Sequence, residues 1–567
     1  MKKLSIGESD FKNLISSNSY YIDKSLFIQE FIDSPALVML FPRPRRFGKT
    51  LNLSMLKYYF DVAKPENKAL FTDLKIWQAP EDIKAHCSKY PVIYISFKDA
   101  KANNWDDCYQ LIISEILKGI SQFDYLIESN ILSSYKKNEL IGLFNRTAGS
   151  SDYQQSLRSL SEYLYNYHNQ KVIILIDEYD TPIHAGYKKF YTEVVSFMRN
   201  LLSGAFKDNS FLFKGAITGI LRVSKESIFS GLNNISVYSI LEDEFADMFG
   251  FTEPDVQQLL SDFNVKTEFA EIKKWYNGYK FGSFESIYNP WSILNFTASK
   301  NETLRSFWAN TSSNELIRHE ITKRNADLIR KNILKLIADD TIVNDIETEF
   351  VFSDMDKRTN LVWSLFLFSG YLTTVKQVSR KGYELKIPNF EIKAIFQDSI
   401  LEWFETDLKI VKNRLTETAQ FLTENKLAEF EYNFRELMGD TFSYYDTAKN
   451  NEYVYQSYIL GLLAVIGDDY IIRSNRESGL GRYDIMLIPH DKTKNGVVIE
   501  IKQTEARSEN DTDRKFKMRV NKLLKQALEQ IDKNQYYNEL LAHQIPPERI
   551  IKVPIVFAGK IAFVQAL

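Results

Sequence analysis

The sequence has two cysteines, no long apolar run and almost no net charge. Cys87 and Cys108 have neither CxxC spacing nor a nearby set of histidines, which favours reduced structural thiols over disulfides or a zinc site. No run of about 18 apolar residues occurs and no apolar stretch follows Met1, so we expect a cytoplasmic protein with no secretion signal and no membrane partner. The net charge of −3 gives no bulk support for nucleic-acid binding, which would need local basic patches.

The chain also has no internal repeat and no low-complexity linker. Its hydrophobic content of 44% and charged content of 26% are typical of a globular protein and exclude a disordered or fibrous class. Because 567 residues exceed what one hydrophobic core usually serves, we expect about two to four domains.

The first motif lies between an apolar run and a helical pattern. Ala36–Phe41 predicts a buried strand and Asn52–Phe60 has helical periodicity, so PRPRRFGKT at Pro42–Thr50 joins a strand to a helix. In this context Gly-Lys-Thr is typical of a phosphate cradle, in which Lys49 reaches the β- and γ-phosphates and Thr50 takes a Mg²⁺ position. The backbone N–H groups expected to converge on the anion belong to Arg45, Arg46, Phe47, Gly48, Lys49 and Thr50.

This cradle departs from the usual G-x-x-x-x-G-K-[ST] pattern. Arg43 stands where the first glycine is expected, and Pro44 follows it. Pro44 supplies no N–H and pushes Arg43 toward an extended conformation, so the start of the loop must be shaped differently. The alternative interpretation is a basic surface loop before an ordinary helix.

A second motif supports the phosphate cradle. In KVIILIDEYDTP, the β-branched run Val172–Ile176 predicts a parallel strand that is covered on both faces. Asp177 and Glu178 follow it, at the strand end where open α/β sheets bind ligands. Asp177 would hold Mg²⁺ through water, and Glu178 would orient or deprotonate the attacking water. The alternative is a strand end with solvated acids.

Further apolar runs complete the predicted sheet. Pro91–Phe97, followed by the helix-like Trp105–Ile120, suggests an additional central strand between the cradle strand and the Asp-Glu strand. Phe211–Ile220 predicts a buried strand, and Val237–Ile240 predicts the last strand of the sheet.

The strand at Phe211–Ile220 brings two more candidate residues. Thr218 lies near its end, where a γ-phosphate sensor would sit, and Arg222 is a candidate for stabilising charge on the transferring phosphoryl group. A helix-capping or surface arginine is the alternative for Arg222.

From Glu242 the pattern becomes mostly helical. We predict helices at Pro254–Phe263 and Glu268–Tyr276. The segments Trp275–Gly282 and Tyr288–Leu294, rich in Gly, Asn, Pro and aromatic residues, are interpreted as turns and packing rather than chemistry.

The helical pattern continues through Ser306–Phe404, interrupted by a strand pair at 371–378 and 383–388. This arrangement suggests a lid or winged-helix-like module. Ile410–Met438 is amphipathic and charged, and we interpret it as connecting helices.

The last motif is a predicted hairpin that carries charged residues. Asp484 leads into the strand Ile485–Ile488, and Val497–Lys502 forms the next strand. Because strand side chains alternate, Glu500 and Lys502 share one face, where burial is costly unless the charges are paired or bound to metal. This D…E-x-K pattern suits a phosphodiesterase.

In that chemistry Asp484 and Glu500 hold one or two Mg²⁺ ions, with the Ile501 carbonyl as a further ligand. Lys502 orients or deprotonates the hydrolytic water and offsets charge on the phosphate. Glu452, at the start of the preceding helix, would add another carboxylate. The alternative interpretation is a surface hairpin with salt bridges.

Two nearby segments suit nucleic acid. The glycines in Gly479–Arg482 would let a nucleic-acid backbone approach closely, with Arg482 on a phosphate or an acidic ligand. Arg514–Lys525 offers a basic helix face, although a charge run is usually only a solvated surface.

Five segments together carry a family resemblance: RPRRFGKTLNLSML, VIILIDEYDTPI, ITGILRVSKESIFSGLNN, GLGRYDIMLIP and VIEIKQ. The chain resembles, from Phe11 to Ile550–Phe563, the bacterial AAA-ATPase-like family with a C-terminal PD-(D/E)XK nuclease domain. Gln530 with Tyr536 looks like the Gln/Tyr pair of some related nucleases, with a different spacing. The resemblance implies an ATPase core at Lys49, Thr50, Asp177 and Glu178, and a Mg²⁺-dependent nuclease core at Asp484, Glu500 and Lys502.

The expected fold class is α/β: a P-loop NTPase with an AAA/ASCE-like parallel sheet, a helical or winged-helix-like lid region, and a C-terminal PD-(D/E)XK nuclease-like α/β domain. The expected boundaries are 1–241 for the ATPase core, 242–405 for the lid region, 406–445 for connecting helices and 446–567 for the nuclease domain.

The leading functional hypothesis is an ATPase whose nucleotide state controls Mg²⁺-dependent cleavage of nucleic acid, DNA rather than RNA, in defence against foreign DNA or in mobile-element processing. We also expect a homo-oligomer. The alternative is a nucleotide-dependent sensor or scaffold that hardly turns ATP over and whose nuclease fold only grips nucleic acid. A helicase-like remodeller is a third option, without a recognisable strand-separating element.

Overall fold

The computed structural model describes residues 2–222, 234–308, 320, 327–349, 358, 360–406, 409–441, 452–467, 469–474, 477–507, 511–559 and 561–564. The chain forms two compact units, each made of two segments. The first unit is Met1–Phe307 with Asn344–Tyr383, and the second is Trp308–Val343 with Glu384–Leu567.

Helices and strands of the described residues are numbered in chain order. The helices are α1 (Phe11–Ser16), α2 (Leu26–Asp33), α3 (Lys49–Phe60), α4 (Glu81–Lys84), α5 (Trp105–Ile120), α6 (Tyr125–Glu128), α7 (Ser134–Phe144), α8 (Ser150–His168), α9 (Thr181–Gly186), α10 (Tyr191–Phe206), α11 (Glu253–Asp262), α12 (Phe269–Tyr276), α13 (Pro290–Ala298), α14 (Asp327–Ile337), α15 (Asn360–Ser369), α16 (Phe390–Thr406), α17 (Lys412–Thr423), α18 (Leu427–Thr441), α19 (Glu452–Leu463), α20 (Asp513–Lys533) and α21 (Asn538–Ala542).

The strands are β1 (Val38–Pro42), β2 (Val92–Ser96), β3 (Val172–Asp177), β4 (Leu212–Gly219), β5 (Ile235–Val237), β6 (Phe251–Thr252), β7 (Tyr279–Phe281), β8 (Phe284–Tyr288), β9 (Ile342–Asp345), β10 (Thr373–Gln377), β11 (Gly382–Lys386), β12 (Tyr470–Ser474), β13 (Glu477–Ser478), β14 (Gly481–Arg482), β15 (Ile485–Pro489), β16 (Gly496–Thr504), β17 (Ile550–Ala558) and β18 (Ile561–Phe563).

The first unit is organised around a five-stranded parallel sheet in the order β2-β3-β4-β1-β5. β1 and β3 are buried along their whole length, as their unbroken apolar runs predict. Because parallel strands end at the same edge, Asp177 of β3 lies beside Ser96 of β2, and Thr218 of β4 lies beside Phe41 of β1. This edge positions the first candidate site.

One expectation about strand order needs correction. A strand does separate β1 from β3, but it is β4, the strand from Phe211–Ile220. The run at Pro91–Phe97 forms β2 at the edge of the sheet, beyond β3. The order of the strands along the chain does not give their order in the sheet, because the strand that fills the centre, β4, comes after β3 in the chain.

Helices follow the strands and pack on the sheet. α3 packs against β3 and β4, and α5 packs against β2. Asn104 caps α5 by accepting a hydrogen bond from the Asp107 N–H, and Cys108, Ile112 and Ile116 recur every four residues on its buried face.

Residues 251–298 add a small sheet to the first unit, in the order β6-β8-β7. Its strands are antiparallel, and helices α11 and α13 share an apolar core that includes Leu259, Tyr276 and Phe296. The sequence predicted turns here and missed the β7–β8 hairpin. Its strands are short, and a positive φ at Gly282 closes the turn between them.

The middle of the chain is mainly helical, as predicted. β10 and β11 confirm the strand pair expected at 371–378 and 383–388, and β9 is an additional short strand. The segment Ile410–Met438 forms two helices, α17 and α18.

The second unit contains a five-stranded mixed sheet in the order β12-β15-β16-β17-β18. β15 and β16 pair antiparallel, whereas β16 and β17 pair parallel, and helix α20 lies between these two strands in the chain. α20 buries Phe516, Val520, Leu524, Ala527 and Ile531, a repeat of three or four residues that predicts one apolar helix face.

Among the described helices, none has the length and apolar content needed to cross a lipid bilayer.

Candidate active sites

The first candidate site begins where β1 ends and α3 starts. Gly48 caps α3 with φ +83°, in the left-handed region, and a Cβ there would meet no atom within 4 Å. Glycine is therefore required at this position by backbone conformation rather than by space. Arg46, two residues earlier, also has a positive φ of +68°.

Arg43, which replaces the first glycine of the usual loop, is a buried structural residue. Its guanidinium donates hydrogen bonds to the carbonyls of Pro42, Tyr238 and Phe245, and its centre lies 4.8 Å from the Phe249 ring centroid. Burial lowers the pKa of Arg43 to about 9, which keeps the side chain charged at neutral pH. Arg43 therefore links the start of the loop to the segment that follows β5.

Lys49 is buried within the loop that precedes it. Its Nζ donates to the carbonyls of Arg43 and Pro44, both at 3.1 Å, and lies 3.8 Å from Glu178 Oε1. The structure thus brings together Lys49 and Glu178, two of the predicted site residues. Both have side chains at the same sheet edge.

Asp177 is the centre of a hydroxyl network. Its Oδ2 accepts hydrogen bonds from Thr50 Oγ1 at 2.8 Å and Ser96 Oγ at 3.2 Å, and its Oδ1 accepts one from Thr218 Oγ1 at 2.5 Å. Burial, followed by the nearby charge of Glu178, raises the pKa of Asp177 above its ordinary value. Thr50 and Thr218 therefore both contact Asp177 directly. Ser96 was missed, and its only sequence signal is its place at the end of β2.

Glu178 has a backbone that side chains rarely adopt. Its φ is +54°, and its Oε2 accepts a hydrogen bond from Thr181 Oγ1 at 3.1 Å. Non-glycine residues in this region are often held there at functional sites.

Asp180 is a further buried acid that sequence reasoning did not select. Its Oδ2 accepts hydrogen bonds from the N–H groups of Ile220 at 2.8 Å and Leu221 at 3.1 Å, and lies 3.4 Å from His184 Nε2. Burial favours the neutral carboxyl, but His184 and these N–H groups outweigh it and hold the pKa of Asp180 below its usual value. Asp180 thereby fixes the chain just after Thr218.

Arg222 lies three residues after the end of β4. Its NH2 group is 3.4 Å from Glu349 Oε1. It also lines a cavity of about 240 Å³ together with Pro42, Ser239 and Glu242. The continuation of the motif, residues 223–233, lies outside the described residues.

Aromatic residues from 251–298 brace the phosphate loop. The centroid of the Phe47 ring lies 5.0 Å from that of Tyr279 and 5.2 Å from that of Phe281. The Phe47 carbonyl also accepts a hydrogen bond from the Gly250 N–H at 3.2 Å. The segments interpreted as turns and packing therefore pack on the loop itself. The sequence did not indicate this contact, because more than 200 residues separate its two sides.

The second candidate site lies where β15 begins beside β16. Asp484 Oδ2 accepts the Ile501 N–H at 2.7 Å, and the Asp484 carbonyl accepts a hydrogen bond from Gln456 Nε2 at 2.8 Å. Ile485 pairs with Ile499, so Asp484 and Glu500 are the next facing positions on the two strands. Gln456 was missed by the sequence analysis, since a single helical glutamine carries no signal.

Glu500 and Lys502 meet on one face of β16, as their spacing predicts. Lys502 Nζ donates to Glu500 Oε1 at 2.7 Å, and only 2% of Glu500 is exposed. A buried carboxylate beside a half-buried ammonium suits a site where a cation or a phosphate also enters.

The donor set determines what metal the second site suits. The described residues contain no group of three or more His, Cys, Asp or Glu side chains that would hold a metal ion. Asp484 and Glu500 supply two carboxylates, which suits Mg²⁺, because Mg²⁺ is usually held by one or two carboxylates plus water and substrate phosphate. Glu452 begins α19, but its side chain lies outside the described residues. The Ile501 N–H is engaged by Asp484.

The predicted Gln/Tyr pair also forms in the second unit. Gln530 Nε2 and Asn534 Nδ2 both donate to the Tyr536 hydroxyl, at 3.1 Å and 2.9 Å. Tyr536 is buried, and its hydroxyl lies close to Gly481 in the glycine-rich segment before Asp484. Lys515, Lys517 and Lys522 of α20 are exposed.

Comparison with known proteins identifies two domains, one around each candidate site. Residues 5–229 match the AAA-ATPase-like family, described as a predicted AAA-ATPase, and residues 450–566 match the PD-(D/E)XK nuclease superfamily. A protein of Azotobacter chroococcum mcd 1, described as an uncharacterized protein in the vnfD 5′ region, is 28% identical over 411 residues, which is 70% of each chain. The Walker-type ATPase PABY2304 of Pyrococcus abyssi aligns with 66% of this chain and 94% of its own, at 12% identity and a TM-score of 0.35.

The family matches and the sheet topology confirm the predicted fold class: a parallel sheet of the P-loop NTPase type, a helical middle and a C-terminal α/β nuclease domain. The chain carries an AAA-ATPase-like domain at residues 5–229 and a PD-(D/E)XK nuclease superfamily domain at residues 450–566.

Proposed function

We propose that the first site binds ATP with Mg²⁺ and hydrolyses it. The observation that carries this proposal is the Thr50–Asp177 hydrogen bond of 2.8 Å beside Lys49, which lies 3.8 Å from Glu178. A hydroxyl and a carboxylate in contact, next to a cation and a second acid, are the parts that triphosphate hydrolysis uses.

In this proposal each side chain has a separate task. Lys49 exchanges the Arg43 and Pro44 carbonyls for phosphate oxygens, and Thr50 with Asp177 holds the Mg²⁺ position. Bound Mg²⁺ neutralises charge on the phosphate oxygens. Glu178 orients or deprotonates the attacking water, and Thr218 keeps Asp177 in place while lying next to the terminal phosphate.

The Glu178→Gln variant tests this assignment. It keeps the size and one hydrogen-bond acceptor but removes the base, so phosphate release should fall by about 10²- to 10⁴-fold while ATP affinity is retained. Phosphate release at the wild-type rate would refute Glu178 as the base. A Glu193→Gln variant on α10 serves as the control.

We also propose that the second site is a Mg²⁺-dependent nuclease acting on DNA. The supporting observation is the Glu500–Lys502 contact of 2.7 Å beside Asp484, whose carboxylate is held by the Ile501 N–H. Asp484 and Glu500 would hold Mg²⁺, which supplies Lewis acidity toward the phosphate. Lys502 would orient or deprotonate the water and offset the charge that develops on phosphorus.

Labelled single- and double-stranded DNA and RNA, incubated with the full chain and Mg²⁺, test the nuclease proposal. We expect DNA to be cut with Mg²⁺ and to remain intact with a chelator. If DNA stays intact both with and without Mg²⁺, the nuclease proposal is wrong, and the domain would at most bind nucleic acid without cutting it.

A second candidate function is a nucleotide-dependent sensor or scaffold with little turnover. The observation that favours it is that Lys49 Nζ is held by the Arg43 and Pro44 carbonyls, in a loop where Arg43 replaces glycine. Tight ATP binding with negligible phosphate release would select this function.

We further propose that the nucleotide state controls DNA cleavage, in defence against foreign DNA or in mobile-element processing, and that the chain acts as a homo-oligomer. An arginine from a second copy would then complement the charges at the phosphate site. Mass measurement of the purified chain with and without ATP tests the self-association.

A further inference from the structure

Arg46, at the tip of the phosphate loop, rests on an aromatic ring. Its guanidinium carbon lies 4.1 Å from the centroid of Trp291, at a cation–π distance. The side chain is partly exposed, and its backbone has the positive φ of +68° noted above. Within the described residues, no carboxylate forms an ion pair with Arg46.

Trp291 is a fixed platform for this guanidinium. Its backbone N–H is capped by Asn289 Oδ1 at 2.9 Å, and its indole Nε1 donates to the Phe307 carbonyl at 3.2 Å. Asn289 also donates through Nδ2 to the Arg45 carbonyl at 3.4 Å. The start of α13 therefore holds both the loop backbone and the resting place of the Arg46 side chain.

The charges around Arg46 are those of the phosphate site. Glu178, which lies 3.8 Å from Lys49, also acts electrostatically on Arg46. Burial, then the like charge of Arg45, lowers the pKa of Arg46, and the Glu178 charge opposes this. The partly buried Arg46 guanidinium contacts the Trp291 ring, and phosphate oxygens would bind it more strongly than the ring does.

We propose that the Arg46 guanidinium is a second cationic ligand of the nucleoside triphosphate and leaves Trp291 when the loop is filled. This inference rests on the proposed ATP site. Charge-assisted hydrogen bonds from a guanidinium to phosphate are stronger than an exposed cation–π contact, so a bound triphosphate shifts the side chain away from the ring. Trp291 then loses its cationic partner when the nucleotide binds.

ATP affinity and tryptophan fluorescence of the full chain test this inference. Arg46→Ala should weaken ATP binding by about 10- to 100-fold, with Arg46→Lys in between. Trp291→Phe should tighten binding by about two- to five-fold, because the resting contact that competes with phosphate is weaker. Mere loss of structure would weaken binding in both variants.

The fluorescence measurement must distinguish the signal of Trp291 from the signals of the six other tryptophans in the sequence. ATP should change wild-type fluorescence, and this change should be absent in Trp291→Phe and in Arg46→Ala at saturating ATP, but present in Trp275→Phe. Arg305→Ala, at another guanidinium that lies 5.0 Å from an aromatic ring, should leave affinity and fluorescence unchanged.

The outcomes distinguish this inference from the proposed function. If Arg46→Ala and Arg46→Lys bind ATP with the same affinity as the wild type, Arg46 is not a ligand of the nucleotide. If Trp291→Phe keeps the ATP-dependent change, the release of Trp291 is wrong. If the wild type binds no ATP, both the proposed ATP site and this inference fail.

Discussion

The Thr50 hydroxyl donates a 2.8 Å hydrogen bond to the Asp177 carboxylate, although 127 residues separate the two in the chain. Thr50 comes from the first turn of α3 and Asp177 from the end of β3, so the contact exists only because both elements reach the same edge of one sheet. It joins the two sequence motifs into a single site.

Lys49→Ala should reduce ATP affinity by about 10- to 100-fold, because the loop loses its charge-assisted contact with the phosphates. Titration calorimetry with ATP and Mg²⁺ measures the effect. Lys57→Ala on the same helix is the matched control and should bind as the wild type does. If Lys49→Ala binds ATP as tightly as the wild type does, the proposed ATP site is wrong.

Arg43→Gly, which restores the usual loop glycine, should destabilise the protein rather than improve hydrolysis. Carbonyls of Tyr238 and Phe245 would lose a buried donor, at a cost of about 2–5 kcal/mol in the free energy of unfolding. Urea unfolding measures this, with Arg45→Gly in the same loop as the control. A more active and equally stable Arg43→Gly protein would contradict the structural role of Arg43.

Lys502→Met should reduce DNA cleavage by about 10²- to 10⁴-fold, because it keeps the length of the side chain but removes the ammonium beside Glu500. Asp484→Asn should do the same through loss of a metal carboxylate. ATP affinity should stay unchanged in both. Lys552→Ala on β17, which removes an exposed ion pair with Asp532, should cut at the wild-type rate.

Asp180 should contribute stability that depends on pH. Its pKa is lowered in the folded protein, so its contribution is fully present above the unfolded value of about 3.9 and is lost as the pH falls through the folded value. The difference in unfolding free energy between the wild type and Asp180→Asn should therefore be constant near neutral pH and shrink in acid. Asp106→Asn, exposed on α5, should show no such trend. A difference that grows in acid would reverse the assigned sign.

The sequence predicted the elements whose residues repeat a clear pattern. The runs at Val38–Pro42 and Val172–Asp177 are buried on both faces, so their apolar composition alone identified them. Glu500 and Lys502 followed from the two-residue period of a strand, and their 2.7 Å contact agrees with it.

Other features depended on contacts between distant segments. The central place of β4 and the packing of Phe47 on the β7–β8 hairpin follow from how the chain returns on itself. Gln456 and Ser96 are single polar residues whose roles come only from their neighbours, Asp484 and Asp177. Arg43 replaces the first glycine of the usual phosphate-loop motif. The structure gives the reason, because its buried guanidinium donates hydrogen bonds to three carbonyls.

The most direct test of the account is the rate of Mg²⁺-dependent DNA cleavage by the full chain with and without ATP, in the wild type and in the Lys49→Ala and Asp484→Asn variants. We expect cleavage that changes with ATP in the wild type, does not respond to ATP in the Lys49 variant and is absent in the Asp484 variant. Identical wild-type cleavage with and without ATP, or cleavage that survives in the Asp484 variant, would contradict it.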